Sequence, residues 1–168
     1  FIMSNNHTIH SLQHHFGWDN SNKPVVVVKS GETIEIDTVD SSGSQLNINS
    51  TIDDVKNLDF SKVNPVTGPI FVEDANEGDV IEVELIDFIT SGWGWTAIIP
   101  GFGLLADEFK DPDLNLWKYD KNNPNESIYS TYGKIPLKPF VGTIGLALRE
   151  PGNHSIVPPR LCGGNLDI

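Results

Sequence analysis

The sequence predicts an all-β fold, an antiparallel and jelly-roll-like β-sandwich with irregular loops and little helix. Three observations favour it: short β-branched runs, strict alternation of apolar and polar residues in two segments, and turn residues throughout. The 15 glycines and 11 prolines interrupt every long helical pattern. Several short strands separated by Gly/Pro turns are typical of sandwiches and jelly rolls.

Four segments carry the strand signals, at residues 25–28, 33–39, 80–88 and 142–148. The first is a run of four valines, a residue type that suits a pleated, half-buried surface. The second and third alternate apolar and charged residues, which predicts strands with one dry face. The fourth is a continuous apolar run, as expected inside a sheet.

The remaining segments read mainly as loops. Residues 53–60 predict one short helix, capped by Thr51 or Asp53. Residues 110–134 are polar and rich in turn residues, which predicts a long loop on the surface. Residues 1–13 are expected to be a flexible N-terminus whose first two residues resemble a cloning remnant, and residues 14–168 a single β-sandwich domain.

Composition excludes several classes of partner. Eleven basic residues against 23 acidic ones give a net charge of −12, which disfavours nucleic acids and anionic membranes. No apolar run approaches the roughly 20 residues of a membrane span, and the N-terminus lacks the pattern of a signal peptide. A single cysteine excludes an internal disulfide and a Cys-rich zinc module. We expect a cytoplasmic protein.

Histidines near the N-terminus form the first candidate site. On a strand, His10 and His14 share a face while His15 points the other way, and His7 lies nearby. Imidazole is the commonest metal ligand, so a metal site is one interpretation. The alternative is an ordinary polar strand.

Two further features have a functional and a structural interpretation. In Gly92-Trp93-Gly94-Trp95 the rings can lie against a small ligand, or the segment can be a packed loop. Cys162 is expected to be a small, partly buried thiol.

The chain closes on Gly163-Gly164-Asn165-Leu166-Asp167-Ile168. The glycines permit positive φ, and Asn165 offers both a donor and an acceptor. In an extended segment Asp167 lies on the same side as Asn165. Together they can bind a metal or orient a polar substrate, or they form a plain Asx-rich turn.

Several blocks together resemble one family, the acetamidase/formamidase amide hydrolases. They are "HHFGWDNS", "SGETIEIDTVD", residues 63–88, residues 92–109, residues 135–148 and the closing "GGNLD". The resemblance runs through nearly the whole chain from His14. In that family a His- and Asp-containing segment follows the Gly-Gly-Asn-x-Asp element, and nothing like it occurs here. The chain therefore looks like the N-terminal half of such an enzyme, truncated after Ile168.

The resemblance implies hydrolysis of small aliphatic amides, formamide or acetamide, to carboxylate and ammonia on a jelly-roll-like sandwich. It also implies a divalent metal, zinc or calcium, with Asp167 as a ligand. The catalytic residues it implies are Asn165, Asp167 and Asp40, and the substrate-binding ones are Gln45, Gly163 and Gly164. Cys162 stands where the family often has histidine, and this departure puts in question the activity that the resemblance implies.

The implied partners are a small amide and either further copies of the chain or a missing C-terminal half. The fragment alone is then expected to be inactive. The alternative is a non-catalytic β-sandwich that serves as a binding or assembly module, which gains weight if the gene ends at Ile168.

Overall fold

The computed structural model describes residues 7–123, 126–129, 133–157 and 162–166. Its strands are β1 (His7–Ile9), β2 (His14–Phe16), β3 (Val26–Val28), β4 (Ile34–Ile36), β5 (Pro65–Thr67), β6 (Ile70–Val72), β7 (Trp93–Ile98), β8 (Asp113–Lys118), β9 (Glu126–Tyr129), β10 (Gly133–Pro136), β11 (Thr143–Gly145) and β12 (Gly163–Asn165). The helices are α1 (Ile52–Lys56) and a 3₁₀ turn (Phe60–Lys62). Many short strands and almost no helix confirm the all-β prediction.

The described strands form two-stranded pairs. Four pairs are antiparallel, namely β2–β5, β7–β8, β9–β10 and β11–β12, and two are parallel, namely β1–β4 and β3–β6. The expectation of a purely antiparallel fold is therefore wrong at two places. The chain between the partners of each parallel pair is long enough for the crossover that parallel pairing needs.

Three predicted strands are confirmed over their central residues. β3 lies within residues 25–28, β4 within 33–39, and β11 within 142–148. β3 pairs with β6, and its Val28 is buried while Val27 is about half exposed. This alternation of buried and exposed side chains is what the β-branched run predicts for a strand with one dry face.

Two predictions about the middle of the chain are wrong. Residues 80–88 form no strand, because no described strand pairs with them. The predicted surface loop at residues 110–134 contains β8, which pairs along its whole length with β7. Leu114 and Leu116 alternate there with Asn115, and this period-two signal is hidden by the surrounding Asp and Pro residues.

The predicted helix is present but shorter than expected. It begins after Thr51, whose backbone N–H donates to the Asp54 carboxylate at 2.6 Å. Thr51 and Asp54 thus form a capping box, in which each residue satisfies a backbone donor of the other at the start of the helix. The helix ends at Lys56, and Asn57 follows as its C-cap. Asn57 and Asp59 are poor helix formers, so the helix does not continue to Phe60.

The chain divides into two compact units. The first unit comprises Phe1–Ser44, Ser61–Val83 and Val141–Ile168, and the second Gln45–Phe60 and Glu84–Phe140. Trp18, Val66 and Ile156 form a buried cluster in the first unit. Leu46 and Val55 are buried in the second.

Part of the N-terminal segment lies in a strand, since β1 pairs with β4 and its Ile9 is 1% exposed. Residues 1–6 lie outside the described residues, and the flexible N-terminus stays a prediction. Across the described ranges, every helix is too short or too polar to traverse a lipid bilayer.

Candidate functional site

The closing glycines form one strand of a close-packed pair. β12 lies antiparallel to β11, with Gly163 opposite Gly145, Gly164 opposite Ile144 and Asn165 opposite Thr143. The φ angles of Gly163 and Gly164 are +104° and +148°, which residues with a side chain rarely adopt. A Cβ on Gly163 would also lie 2.6 Å from the Gly145 Cα. Only glycine fits at this position.

A tryptophan ring packs against the same pair. A Cβ on Gly145 would lie 2.8 Å from Trp18 Cζ2 and 2.8 Å from the Cys162 carbonyl oxygen. Trp18 is 6% exposed and forms the buried cluster with Val66 and Ile156, against which Cys162 packs. Cys162 is therefore the partly buried, packing thiol that was expected. We call β11, β12 and the Trp18 side chain the glycine sheet.

The glycine sheet fixes the position of Asn165. The Asn165 N–H donates to the Ile156 carbonyl at 3.1 Å, and the next N–H, that of Leu166, donates to the Gly142 carbonyl at 2.8 Å. The Asn165 side chain is half-buried. Within the described residues its carboxamide has no hydrogen-bond partner. The backbone bonds of Asn165 and Leu166 fix where the carboxamide leaves the strand.

Trp18 and Gly145 are site-supporting residues that the sequence interpretation missed. Trp18 exchanges backbone hydrogen bonds with His154, at 2.7 and 2.9 Å, which fixes the ring under β11. The sequence signal that could have indicated this close packing is the glycine in each of the "FGWDN" and "TIGLAL" stretches. Gly17 has φ +73° and its absent Cβ leaves room for the His154 carbonyl oxygen. The sequence alone does not show that these two stretches meet.

Asp40 lies in a tight turn in the first unit. One carboxylate oxygen accepts from the Ser42 N–H at 3.1 Å and hydroxyl at 2.6 Å, and the other from the Ser44 N–H at 2.9 Å. Ser42 is 1% exposed. These bonds give Asp40 a structural role in the turn, and its catalytic role stays a prediction.

Gln45 lies in the second unit and binds backbone. Its Nε2 donates to the Asp59 carbonyl at 3.1 Å, and its Oε1 accepts from the Asp59 N–H at 2.8 Å. The Gln45 side chain thus pairs with both backbone groups of Asp59, as a neighbouring strand would. These contacts stabilise the loop around α1, and the predicted contact of Gln45 with substrate stays a prediction.

The N-terminal histidines do not converge on one point. His14 Nδ1 contacts the Ser11 carbonyl oxygen at 2.6 Å, His7 Nε2 contacts Glu32 Oε2 at 3.3 Å, and His10 lies in an exposed turn. His15 is partly buried, and this burial lowers its imidazole pKa below the ordinary 6.5. The neighbouring His14 also lowers that pKa, while a backbone hydrogen bond to Gly68 and the charge of Asp19 oppose the shift.

The Gly-Trp stretch is a strand and not a loop. Gly94 lies opposite Trp117 in the β7–β8 hairpin, so the absent side chain leaves a recess beside the Trp117 ring. The recess is about 280 Å³ in volume, and its lining is completed by Trp93, Trp95, Tyr119, Ile135 and Leu137. The Trp117 indole N–H donates to the Thr96 hydroxyl. Trp117 lies outside the Gly92–Trp95 motif, so the two interpretations of Trp93 and Trp95 both stay predictions.

Comparison with known proteins identifies the chain. The family model described as Acetamidase/Formamidase family matches residues 3–155. The chain belongs to the acetamidase/formamidase family. It is 28% identical to a formamidase of Methylophilus methylotrophus over 154 residues, which are 88% of this chain and 35% of that protein. It is 26% identical to an acetamidase of Mycolicibacterium smegmatis over 118 residues, 62% of this chain and 29% of that protein.

Solved structures of this family have the same fold. An acetamidase from Bacillus halodurans superposes with a TM-score of 0.83 at 31% identity, over 95% of this chain and 52% of that one. A predicted acetamidase/formamidase from Thermoanaerobacter tengcongensis gives 0.85 at 32% identity, over 96% and 52%. The chain thus spans about a third of the length of these curated relatives and about half of these solved structures.

The described residues do not by themselves fit the divalent cation that the family resemblance implies. No group of three or more His, Cys, Asp and Glu side chains in the described ranges is arranged to hold a metal ion. Asp167, the predicted ligand, lies outside the described residues. The metal therefore stays a prediction, and no chemical step is derived through it.

Proposed function

We propose that this chain is the N-terminal half of an enzyme that hydrolyses small aliphatic amides, formamide or acetamide, to carboxylate and ammonia. Family membership and the relatives named formamidase and acetamidase support the reaction class. The observation that carries the proposal is Asn165, a half-buried carboxamide without a partner among the described residues, on a strand in which Gly163 has no room for a side chain.

A primary amide and a carboxamide side chain are complementary. The Asn165 side-chain oxygen can accept from the substrate N–H, and its NH₂ group can donate to the substrate carbonyl oxygen. A donor already fixed beside that oxygen stabilises the charge that develops on it in the transition state. Gly163 and Gly164 are proposed to bind substrate through their backbone atoms, while the side of Gly163 that lacks a Cβ packs against Gly145.

The roles of the other predicted residues are also proposals. Asp167, two residues beyond Asn165, is proposed as the carboxylate that activates water and contributes a metal ligand. Asp40 and Gln45 are proposed to act from their turns. Zinc or calcium stays the proposed metal, with its further ligands outside this chain.

The finer features of the fold and setting are also proposals. We propose that the complete unit is a jelly-roll-like sandwich and that it works in the cytoplasm, alone or as a homo-oligomer. The net charge of −12 supports a protein without nucleic-acid or membrane partners.

An ammonia-release assay tests the reaction. The protein to assay is the long form, which we define as this chain continued by its gene through the rest of the family fold. We expect hydrolysis of formamide or acetamide and no hydrolysis of N-acetylated peptides, because the proposed site accommodates a small primary amide. A folded long form that releases no ammonia from either amide would refute the proposed reaction.

A second function is favoured by one observation. Every residue in the range 79–89 is exposed, including several large apolar side chains. Such a surface is typical of a binding or assembly module, which needs no catalytic residues. Under this alternative no amide is hydrolysed in any assembly.

A further inference from the structure

Thr143 lies directly opposite Asn165 in the glycine sheet. The next pair along, Gly142 and Leu166, is hydrogen-bonded, since the Leu166 N–H donates to the Gly142 carbonyl at 2.8 Å. Because bonded and non-bonded pairs alternate in an antiparallel ladder, Thr143 and Asn165 form a non-hydrogen-bonded pair. The Cβ atoms of opposed residues are roughly 4.5–5.5 Å apart and are closest in such pairs. The two side chains therefore lie within reach of one small molecule.

Thr143 and Asn165 project on the side of the β11–β12 pair where the Trp18 ring lies. Thr143 and Gly145 are partly buried, whereas Ile144 between them is 38% exposed. Alternate residues of a strand share a face, so Thr143 projects on the side of Gly145 that meets the Trp18 ring. Opposed residues also share a face, which brings Asn165 to this side. One face therefore carries a hydroxyl and a carboxamide beside an indole ring.

The polar groups on this face lack hydrogen-bond partners in the part of the chain that the structure describes. This holds for the Thr143 hydroxyl as well as for the Asn165 carboxamide. The Trp18 side chain is 6% exposed, and its buried Nε1 also has no partner among residues 7–123, 126–129, 133–157 and 162–166. One ring atom separates Nε1 from Cζ2, the atom that lies against Gly145, so this edge of the indole faces the pair of strands. A buried donor without an acceptor is energetically costly, which points to a polar ligand on this face.

A primary amide offers one more donor than Asn165 accepts in the proposed pairing. The substrate carbonyl oxygen accepts from the Asn165 NH₂ group, and one substrate N–H donates to the Asn165 side-chain oxygen. The second substrate N–H then needs another acceptor. A threonine hydroxyl has acceptor lone pairs, and Thr143 carries such a hydroxyl on the opposite strand, roughly 5 Å from Asn165.

We propose that the Thr143 hydroxyl is a substrate-binding group that accepts the second N–H of the primary amide held by Asn165. This inference rests on the proposed amide hydrolysis, and it adds the group that selects primary amides over N-substituted ones. An amide with one substituent on its nitrogen has lost the N–H that Thr143 accepts. A site built to bond an N–H discriminates against an analogue without it.

Steady-state kinetics of the long form test the proposal. Thr143→Val keeps the size of the side chain but removes the hydroxyl. It should raise the KM for acetamide about 10-fold and change kcat less than about 2-fold, because one hydrogen bond to bound substrate is lost. Thr143→Ser keeps a hydroxyl and should restore the KM. Thr8→Val, at an exposed strand position of the same unit, is the control and should behave as the wild type.

Two kinetic outcomes would overturn the proposal. One is an unchanged KM in Thr143→Val, and the other is a KM raised as much by Thr143→Ser as by Thr143→Val. N-methylacetamide, measured as a competitive inhibitor, should bind Thr143→Val as well as it binds the wild type, because it lacks the second N–H. Equal weakening of acetamide and N-methylacetamide would mean that the substitution disturbs the whole site, which also contradicts the proposal.

A binding measurement makes the test independent of turnover. Acetamide is titrated into the long form carrying Asp167→Asn, and the methyl signals of Thr143 and Thr8 are followed by NMR. The Thr143 signal should shift until the site is saturated, while the Thr8 signal stays in place. A Thr143 signal that does not shift would overturn this inference even if the long form hydrolyses amides. A shift at Thr143 in a long form that releases no ammonia would support the binding site and refute only the proposed reaction.

Discussion

The glycine sheet and residues 80–88 both carry strand signals in the sequence, but they end in different states. The continuous apolar run at residues 142–148 pairs with β12 and packs against the cluster of Trp18. The alternating run at residues 80–88 pairs with no described strand and is exposed. The difference teaches that a strand pattern indicates local preference, whereas a strand forms only where a partner is present.

The largest expected effect concerns the residue that follows the glycine sheet. In the long form, Asp167→Asn should lower kcat/KM at least ~100-fold, because a carboxylate that activates water loses its charge. The control is Asp111→Asn, at an exposed carboxylate in the second unit, which should change kcat/KM little. Steady-state ammonia release measures both. Full activity of Asp167→Asn would remove this residue from the site and leave the glycine sheet a purely structural element.

A smaller but still large effect is expected for stability within the glycine sheet. Gly163→Ala forces a side chain into φ +104° and against the Gly145 Cα, so it should lower the free energy of unfolding by about 2–4 kcal/mol. Gly142→Ala is the control, because a Cβ there meets nothing within 4 Å. Urea midpoints of the two variants measure the difference. Equal midpoints would mean that the close packing of β11 and β12 is not what stabilises this region.

Substitutions of two valines compare the paired strand β3 with the unpaired residues 80–88. Val28→Ala should cost about 1.5–2.5 kcal/mol of unfolding free energy, because Val28 is 6% exposed on paired β3. Val80→Ala should cost less than about 0.5 kcal/mol in this chain, because Val80 is 94% exposed. Thermal or urea unfolding measures both. A cost at Val80 equal to that at Val28 would show that residues 80–88 are already covered in solution.

The smallest expected effect is a pH dependence from His15. Its pKa is lowered by burial, so between the lowered value and 6.5 the unfolded chain binds a proton that the folded chain does not. Stability should therefore fall as the pH drops below about 6.5 and level off below the folded pKa. His15→Gln should flatten this slope, and His10→Gln, at an exposed turn, should not. An unchanged slope in His15→Gln would assign the effect to other groups.

The sequence predicts local strand character better than pairing. Residues 25–28 and 33–39 contain β3 and β4 as expected, because β-branched and alternating residues report on local backbone preference. The parallel register of both with distant strands is not visible in that pattern. The hairpin β7–β8 was missed because its glycines and tryptophans also fit a loop, and its partner Leu-Asn-Leu-Trp stretch is surrounded by turn residues.

The sequence predicts which residues form the candidate site, but it does not predict which distant residues pack against them. Gly163, Gly164 and Asn165 attract notice because paired glycines beside an Asn permit an unusual backbone. That Gly145 and Trp18 provide the close packing depends on contacts between residues far apart in sequence. Asp40 and Gln45 were selected through resemblance, and their hydrogen bonds within turns could not be anticipated from residue type alone.

The central claim is that this chain carries one half of an amidase whose site needs both halves. The most direct measurement is ammonia release from formamide by the purified 168-residue chain and by the long form at equal concentration. We predict hydrolysis by the long form and none above the buffer blank by the 168-residue chain, because cooperating catalytic groups fail together when some are absent. Robust ammonia release by the 168-residue chain, free of host amidase, would contradict the account.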